Sequence, residues 1–264
     1  MERKKFLKNI ALASLSFSLL ESCTRQASTQ TCTITPEGEE GPFPTHSPAN
    51  FTAQNIVADR EGTPLKIRIH VKNTNNKCEA LAAARIDIWH CDSKGDYSEY
   101  GGDNGAPPNR MNEKEPTNGP AGGFKDTGHH GPPGGPGGPP PGGGSMQATN
   151  YIKKHFLRGR QITDDSGLVT YTSIYPGWYS GRATHIHAHI FDEKGTSLLI
   201  TQIAFPEEIT KEVYQNGVYA KHGLADTSNH DDHVFQGSIA NELALLSGSL
   251  KDGYTLEHTI YVKA

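Results

Sequence analysis

The sequence predicts a mainly β fold, an antiparallel sandwich or barrel with one short helix and long loops. Three observations carry this. Apolar residues recur at every second position in a series of short runs, the spacing of strands with one buried face. Clusters of Gly, Asn and Asp separate the runs. A single segment has helical spacing.

Residues 1–22 read as a leader rather than as part of the fold. Arg3-Lys-Lys-Phe-Leu-Lys8 is a basic start, and residues 10–20 form an apolar run too short to span a bilayer but suited to a signal peptide. Leu20-Glu-Ser-Cys23 resembles a bacterial lipobox, which implies export and a lipid anchor on Cys23 at the cell envelope, in the periplasm or on the cell surface. Lys4 stands where a twin-arginine export signal has its second arginine, and plain secretory cleavage is the simpler alternative. Residues 23–46 form an extended, turn-rich lead-in. Residues 47–264 are read as one β domain.

Within that domain, Leu65, Ile67, Ile69 and Val71 share one face of a first strand. Further strands are read at residues 84–91, 168–174, 185–191, 198–205 and 254–262. The helix is read at residues 206–216, where Pro206 opens the turn, Glu207 and Glu208 follow, and Ile209 and Val213 lie four apart. An insert at about residues 101–145 interrupts the alternation. Between 128 and 144, 15 of 17 residues are Gly or Pro and the other two are His129 and His130. Such a stretch cannot bury a core, so it reads as a loop between two strands of one domain.

The chain has 264 residues, 34% of them hydrophobic, and a formal charge of −4. That charge, with no basic stripe, argues against nucleic acid as the main partner. With Cys23 set aside, Cys32, Cys78 and Cys91 remain. Export permits a disulfide, and the sequence does not choose the pair.

The chemistry concentrates at His185-Ile-His187-Ala-His189. Alternate residues of a strand point to one side, so these imidazoles share a face. Arg182 lies three residues before them and Tyr179 six. Imidazole suits iron, zinc or copper, whereas phenolate is a hard anionic donor suited to Fe(III). Each residue also has a structural reading. Tyr97 alone is a turn residue. Tyr179 sits with Tyr171, Tyr175 and Trp178 in what could be an aromatic packing cluster. His90, near a strand end, reads as structural, and Tyr214, Tyr219 and His222 carry no assigned role.

Five stretches, in order, resemble the intradiol ring-cleavage dioxygenases. They are Thr35-Pro-Glu-Gly-Glu-Glu-Gly-Pro-Phe43, which is similar to the lead-in of short secreted members, then the segment from Asp87 to Tyr97-Ser, and Phe156-Leu-Arg-Gly-Arg-Gln-Ile-Thr-Asp164. The fourth runs from Tyr171 through Pro176-Gly-Trp-Tyr179 and Arg182 to His185-Ile-His187, and the fifth is Thr201-Gln202-Ile-Ala-Phe205. The resemblance implies a two-sheet β-sandwich. It implies a mononuclear, non-haem Fe(III) held by Tyr97, Tyr179, His185 and His187, with Arg182, Gln202 and a displaceable Tyr179 as catalytic residues. It implies a catechol-type substrate and O2 as partners, and a muconate-type dicarboxylate as product. His189 falls outside the pattern. The long helical N-terminal segment of the catechol 1,2-dioxygenases is missing, so the chain is more similar to protocatechuate-type catalytic domains and short secreted forms. No motif specifies which catechol or which oligomer. Two other readings stand beside this one. A zinc or copper site could use His185, His187 and His189, although it leaves Tyr97 and Tyr179 unexplained. A catalytically inactive surface binding module could use the same sandwich.

Overall fold

The period-two runs become the strands of two sheets. A computed structural model of the chain describes residues 32–46, 52–101, 147, 149–237 and 239–264. The leader, Cys23, His129 and His130 lie outside the described residues. The described strands are β1 Pro64–Asn73, β2 Glu79–Ala80, β3 Arg85–Trp89, β4 Arg158–Ile162, β5 Leu168–Ile174, β6 His185–Phe191, β7 Ser197–Ala204, β8 Leu245–Ser249 and β9 Gly253–Val262. One sheet runs β4-β3-β6-β7. The other runs β2-β1-β9-β8, with β5 on β1 as well.

Helix α1 spans Glu207–Tyr214, with Pro206 at its N-cap and two glutamates in its first turn, where the helix dipole favours them. A short helix α2, Ile239–Glu242, was not expected. Pairing is antiparallel except between β1 and β9, which run parallel. Parallel neighbours need a long crossover, and most of the chain lies between these two. β4 has no apolar alternation because its Gly159 faces inward against Ile56; a Cβ there would come within 2.5 Å of that side chain.

The core lies between the sheets. Leu65, Ile67, Ile69 and Val71 of β1, with Val169, Tyr171, Leu256 and Ile260, meet Ile86, Ile88, Ile186, Ala188, Ile190 and Ile203. Along β6 the even-numbered residues face this core. The odd-numbered ones, His185, His187, His189 and Phe191, therefore face away from it. That outer face is nevertheless buried at His185 and His187, and the lead-in approaches His187 at Gly41. Thr35 N donates to Tyr261 O (3.0 Å) and Gly38 N to Ile200 O (2.8 Å). Cys32 and Cys78 form a disulfide that ties the start of the lead-in to the β1–β2 turn. Cys91 remains a buried thiol, which burial pushes well above its ordinary pKa.

Candidate metal centre

Four side chains line up across the outer face of the β4-β3-β6-β7 sheet. Arg158 on β4 lies opposite Trp89 on β3, Trp89 opposite His187 on β6, and His187 opposite Gln202 on β7. The indole of Trp89 stacks flat on the His187 ring, with centroids 4.8 Å apart. Two strand positions from His187, His185 brings its Nε2 to 3.1 Å from His187 Nε2. Tyr97 Oη lies 3.5 Å from the same His185 nitrogen. Two donors about 2.1 Å from a shared ion are themselves separated by about 3.0–3.4 Å, so this spacing fits a common cation.

The imidazoles are prepared as lone-pair donors. His185 Nδ1 lies 2.6 Å from Ala183 O, which can only accept, so Nδ1 carries the proton and Nε2 is left free. Burial, with the Arg182 charge nearby, holds the pKa of His185 well below 6.5, and burial does the same for His187, whose protonation the Arg182 charge also opposes. Both rings are therefore neutral.

Tyr97 and Tyr179 come from two loops that interlock through glycines. Gly95 has φ +88°, and a Cβ on it would lie 2.2 Å from Trp178 O; a Cβ on Gly177 would lie 2.3 Å from Asp92 O. Only glycine lets these backbones approach so closely. The Tyr97 and Tyr179 rings meet edge to face at 5.8 Å, and Tyr179 meets His185 at 5.7 Å. Gln147 fixes the Tyr97 backbone from both sides, its Oε1 accepting Tyr97 N (2.6 Å) and its Nε2 donating to Tyr97 O (2.8 Å). Phe43 stacks on Tyr97 at 4.5 Å.

Burial pushes both phenols up, Tyr97 well above 10 and Tyr179 to about 12, even though Arg182 pulls each down. Neither ionises near neutral pH unless a further positive charge enters the site. Two latent phenolates and two neutral imidazoles therefore fit a highly charged, oxygen-preferring cation better than a soft one. Among the described residues no group of three or more His, Cys, Asp and Glu is placed to hold a metal.

Arg182 and Gln202 close one side. Arg182 donates through one terminal nitrogen to Gln202 Oε1 and through the other to Tyr179 Oη at 3.3 Å. Gln202 Nε2 donates to Glu39 O in the lead-in (2.9 Å). His189 lies apart from this cluster. Its Nε2 bonds Ser197 Oγ (2.8 Å) and its ring stacks on Phe191. His90 bonds Ser173 Oγ and Cys91 O in the interior, and Trp178 Nε1 donates to Gly223 O. Sequence reasoning passed over Gln147, Phe43, Trp89 and Asp232, all in contact with the proposed ligands or with Arg182. Gln147 and Asp232 sit in irregular segments where no periodicity points to them.

Comparison with solved structures places this architecture. An intradiol ring-cleavage dioxygenase from Tetranychus urticae superposes with a TM-score of 0.64 at 24% identity, over 88% of this chain and 95% of that one. The dioxygenase domain of a dioxygenase–carbohydrate-binding fusion from Streptomyces sp. SirexAA-E superposes with a TM-score of 0.53 at 18% identity, over 88% and 99%. The chain has the intradiol dioxygenase fold. No protein-family model matches it, and no curated protein matches it either. Within this fold, the outer face of the β4-β3-β6-β7 sheet carries the cluster described above.

Proposed function

We propose that the chain is an exported enzyme that opens a catechol-type ring with O2 between its two hydroxyl-bearing carbons. Both oxygen atoms enter the product, a muconate-type dicarboxylate. The observation that carries this reading is the convergence of two buried phenols and two neutral imidazoles beside the Arg182–Gln202 pair. Tyr97, Tyr179, His185 and His187 would hold a ferric ion. When bound, that ion withdraws electron density from a chelated catecholate and opens its ring to O2.

The protein's own groups have definite tasks. Tyr179, already hydrogen-bonded to Arg182, is the phenol that would take a catechol proton on Oη and remain held there. Arg182 and Gln202 orient the ring oxygens and favour negative charge developing beside them. Trp89, Phe43 and Tyr97 enclose the site in aromatic surface. The zinc or copper reading loses support because His189 bonds Ser197 instead of joining the cluster. The Cys32–Cys78 disulfide supports an oxidising compartment. A leader ending in a lipid on Cys23, at the periplasmic or outer surface, agrees with it.

The test is oxygen uptake by the iron-loaded protein over catechol, protocatechuate, hydroxyquinol and larger catechols. Expected are one O2 per ring, muconate-type products and a visible tyrosinate-to-Fe(III) band. Semialdehyde products, or a colourless protein that binds only zinc, would overturn the reading. Full iron loading without uptake would favour the binding module.

A further inference from the structure

We infer that Asp232 is the positioning residue that aims Arg182 into the site. The inference rests on the proposed reaction only for its consequence in turnover, since the arrangement itself stands on geometry. Asp232 is fully buried. Its carboxylate accepts Arg182 Nε at 2.9 and 3.1 Å, Ala183 N at 2.7 Å and Val234 N at 2.9 Å. The two backbone donors lie on separate segments, so the carboxylate locks the Arg182 turn to the loop that follows α1. That loop is itself anchored, because Asn229 Nδ2 donates to Phe205 O (2.8 Å) and Asn229 N to Glu207 Oε1 (2.7 Å). Phe235 packs near the guanidinium, 5.9 Å from its carbon.

A guanidinium is a rigid planar fork, so fixing Nε fixes the directions of the other two nitrogens. With Asp232 on Nε, those nitrogens reach Gln202 Oε1 and Tyr179 Oη. The pairing also alters what Arg182 contributes. Its charge still reaches the site, lowering the pKa of Tyr97, Tyr179, His185 and His187, and Asp232 sets the direction in which its N–H groups deliver it. The hydrogen bonds of the Asp232 carboxylate go to Arg182, Ala183 and Val234, not to the tyrosine hydroxyls or the Nε2 atoms of His185 and His187. It acts through Arg182.

Asp232→Asn, Asp232→Glu, Arg182→Ala and the Arg182→Ala/Asp232→Asn double variant test this. In iron-free protein, the Arg182 Nε–H should be strongly protected from exchange by 15N NMR in the wild type and lose that protection in Asp232→Asn. In iron-loaded protein, Asp232→Asn should bind iron and lower kcat/KM at least tenfold. In the Arg182→Ala background the same change should alter kcat/KM less than twofold, since residues acting as one unit are not additive. Unchanged protection in Asp232→Asn, or an equal loss in both backgrounds, overturns the inference. Should Asp232→Asn fail to fold, Asp232→Glu decides: it keeps the charge but displaces the fork, and undiminished kcat/KM with a displaced fork would be fatal. Should the wild type show no turnover, the proposed reaction fails separately, and the placement of Arg182 is judged by exchange and by 4-nitrocatechol binding.

Discussion

Gly41 has φ +68°, and a Cβ built on it would lie 3.0 Å from His187 Cε1. The His187 ring is also confined by Trp89, which stacks flat against it. Gly41→Ala therefore meets two penalties, a left-handed backbone worth about 1–2 kcal/mol and a displaced ligand ring. Gly181→Ala is the control. Its φ is +84°, but nothing lies within 4 Å of a Cβ there, so it should lose stability by a similar backbone amount and leave the site intact. Urea unfolding and iron titration of both variants separate the two effects: iron affinity should fall in Gly41→Ala alone. Equal iron affinity would remove Gly41 as the backing of His187. Single residues were the most legible level of the sequence. Tyr97, Tyr179, His185, His187, Arg182 and Gln202, which the structure brings together, all lie in short motifs whose spacing survives without knowledge of the fold. Gln147 was illegible because its task, bonding the backbone of the Tyr97 turn through one amide, has no local pattern.

The lead-in shows what an irregular element can do. Residues 32–46 contribute no strand, yet this segment bonds β9 through Thr35 and β7 through Gly38, receives Gln202 at Glu39, backs His187 at Gly41 and stacks Phe43 on Tyr97. Arg158 grips its far end through Phe43 O and Thr45 Oγ1. The disulfide holds its start. Cys78→Ser should therefore destabilise the protein by roughly 2–4 kcal/mol, the range for a native disulfide, and should speed iron loss to a chelator. Wild-type protein under reductant should behave the same way. Chelator release at an unchanged rate would mean that the strap holds the site without its staple. The extended character of residues 32–46 could be read from their polar, turn-rich composition. Their path could not, since without periodicity no face is marked, and three cysteines left the pairing open. β4 and β8 were missed for a related reason. Gly159 and Gly248 stand where side chains would have marked the alternation.

Across the whole molecule, alternation told which residues share a face but not which face would hold the core, and the parallel β1–β9 pair joins segments too distant for any local signal. The assembled fold buries imidazoles on both sides of that division. His185 and His187 lie in the site, His90 beside the core and His258 on β9, all nearly or fully inaccessible. Burial lowers each pKa below 6.5, to about 4 for His90 and for His258. The sign follows directly. An unfolded histidine takes up a proton near pH 6.5 while the folded one does not, so the stabilisation is complete above 6.5 and is lost as pH falls towards 4. Each such group contributes a slope of about 1.4 kcal/mol per pH unit in that window. Iron-free protein should therefore unfold at progressively lower urea between pH 7 and pH 5, before ordinary carboxylates titrate. In iron-loaded protein, bound metal competes with protons at His185 and His187, so iron release should accompany the same acid shift. His258→Leu removes one group's share and should flatten the slope accordingly. A urea midpoint independent of pH across this range would mean that these rings accept protons without unfolding.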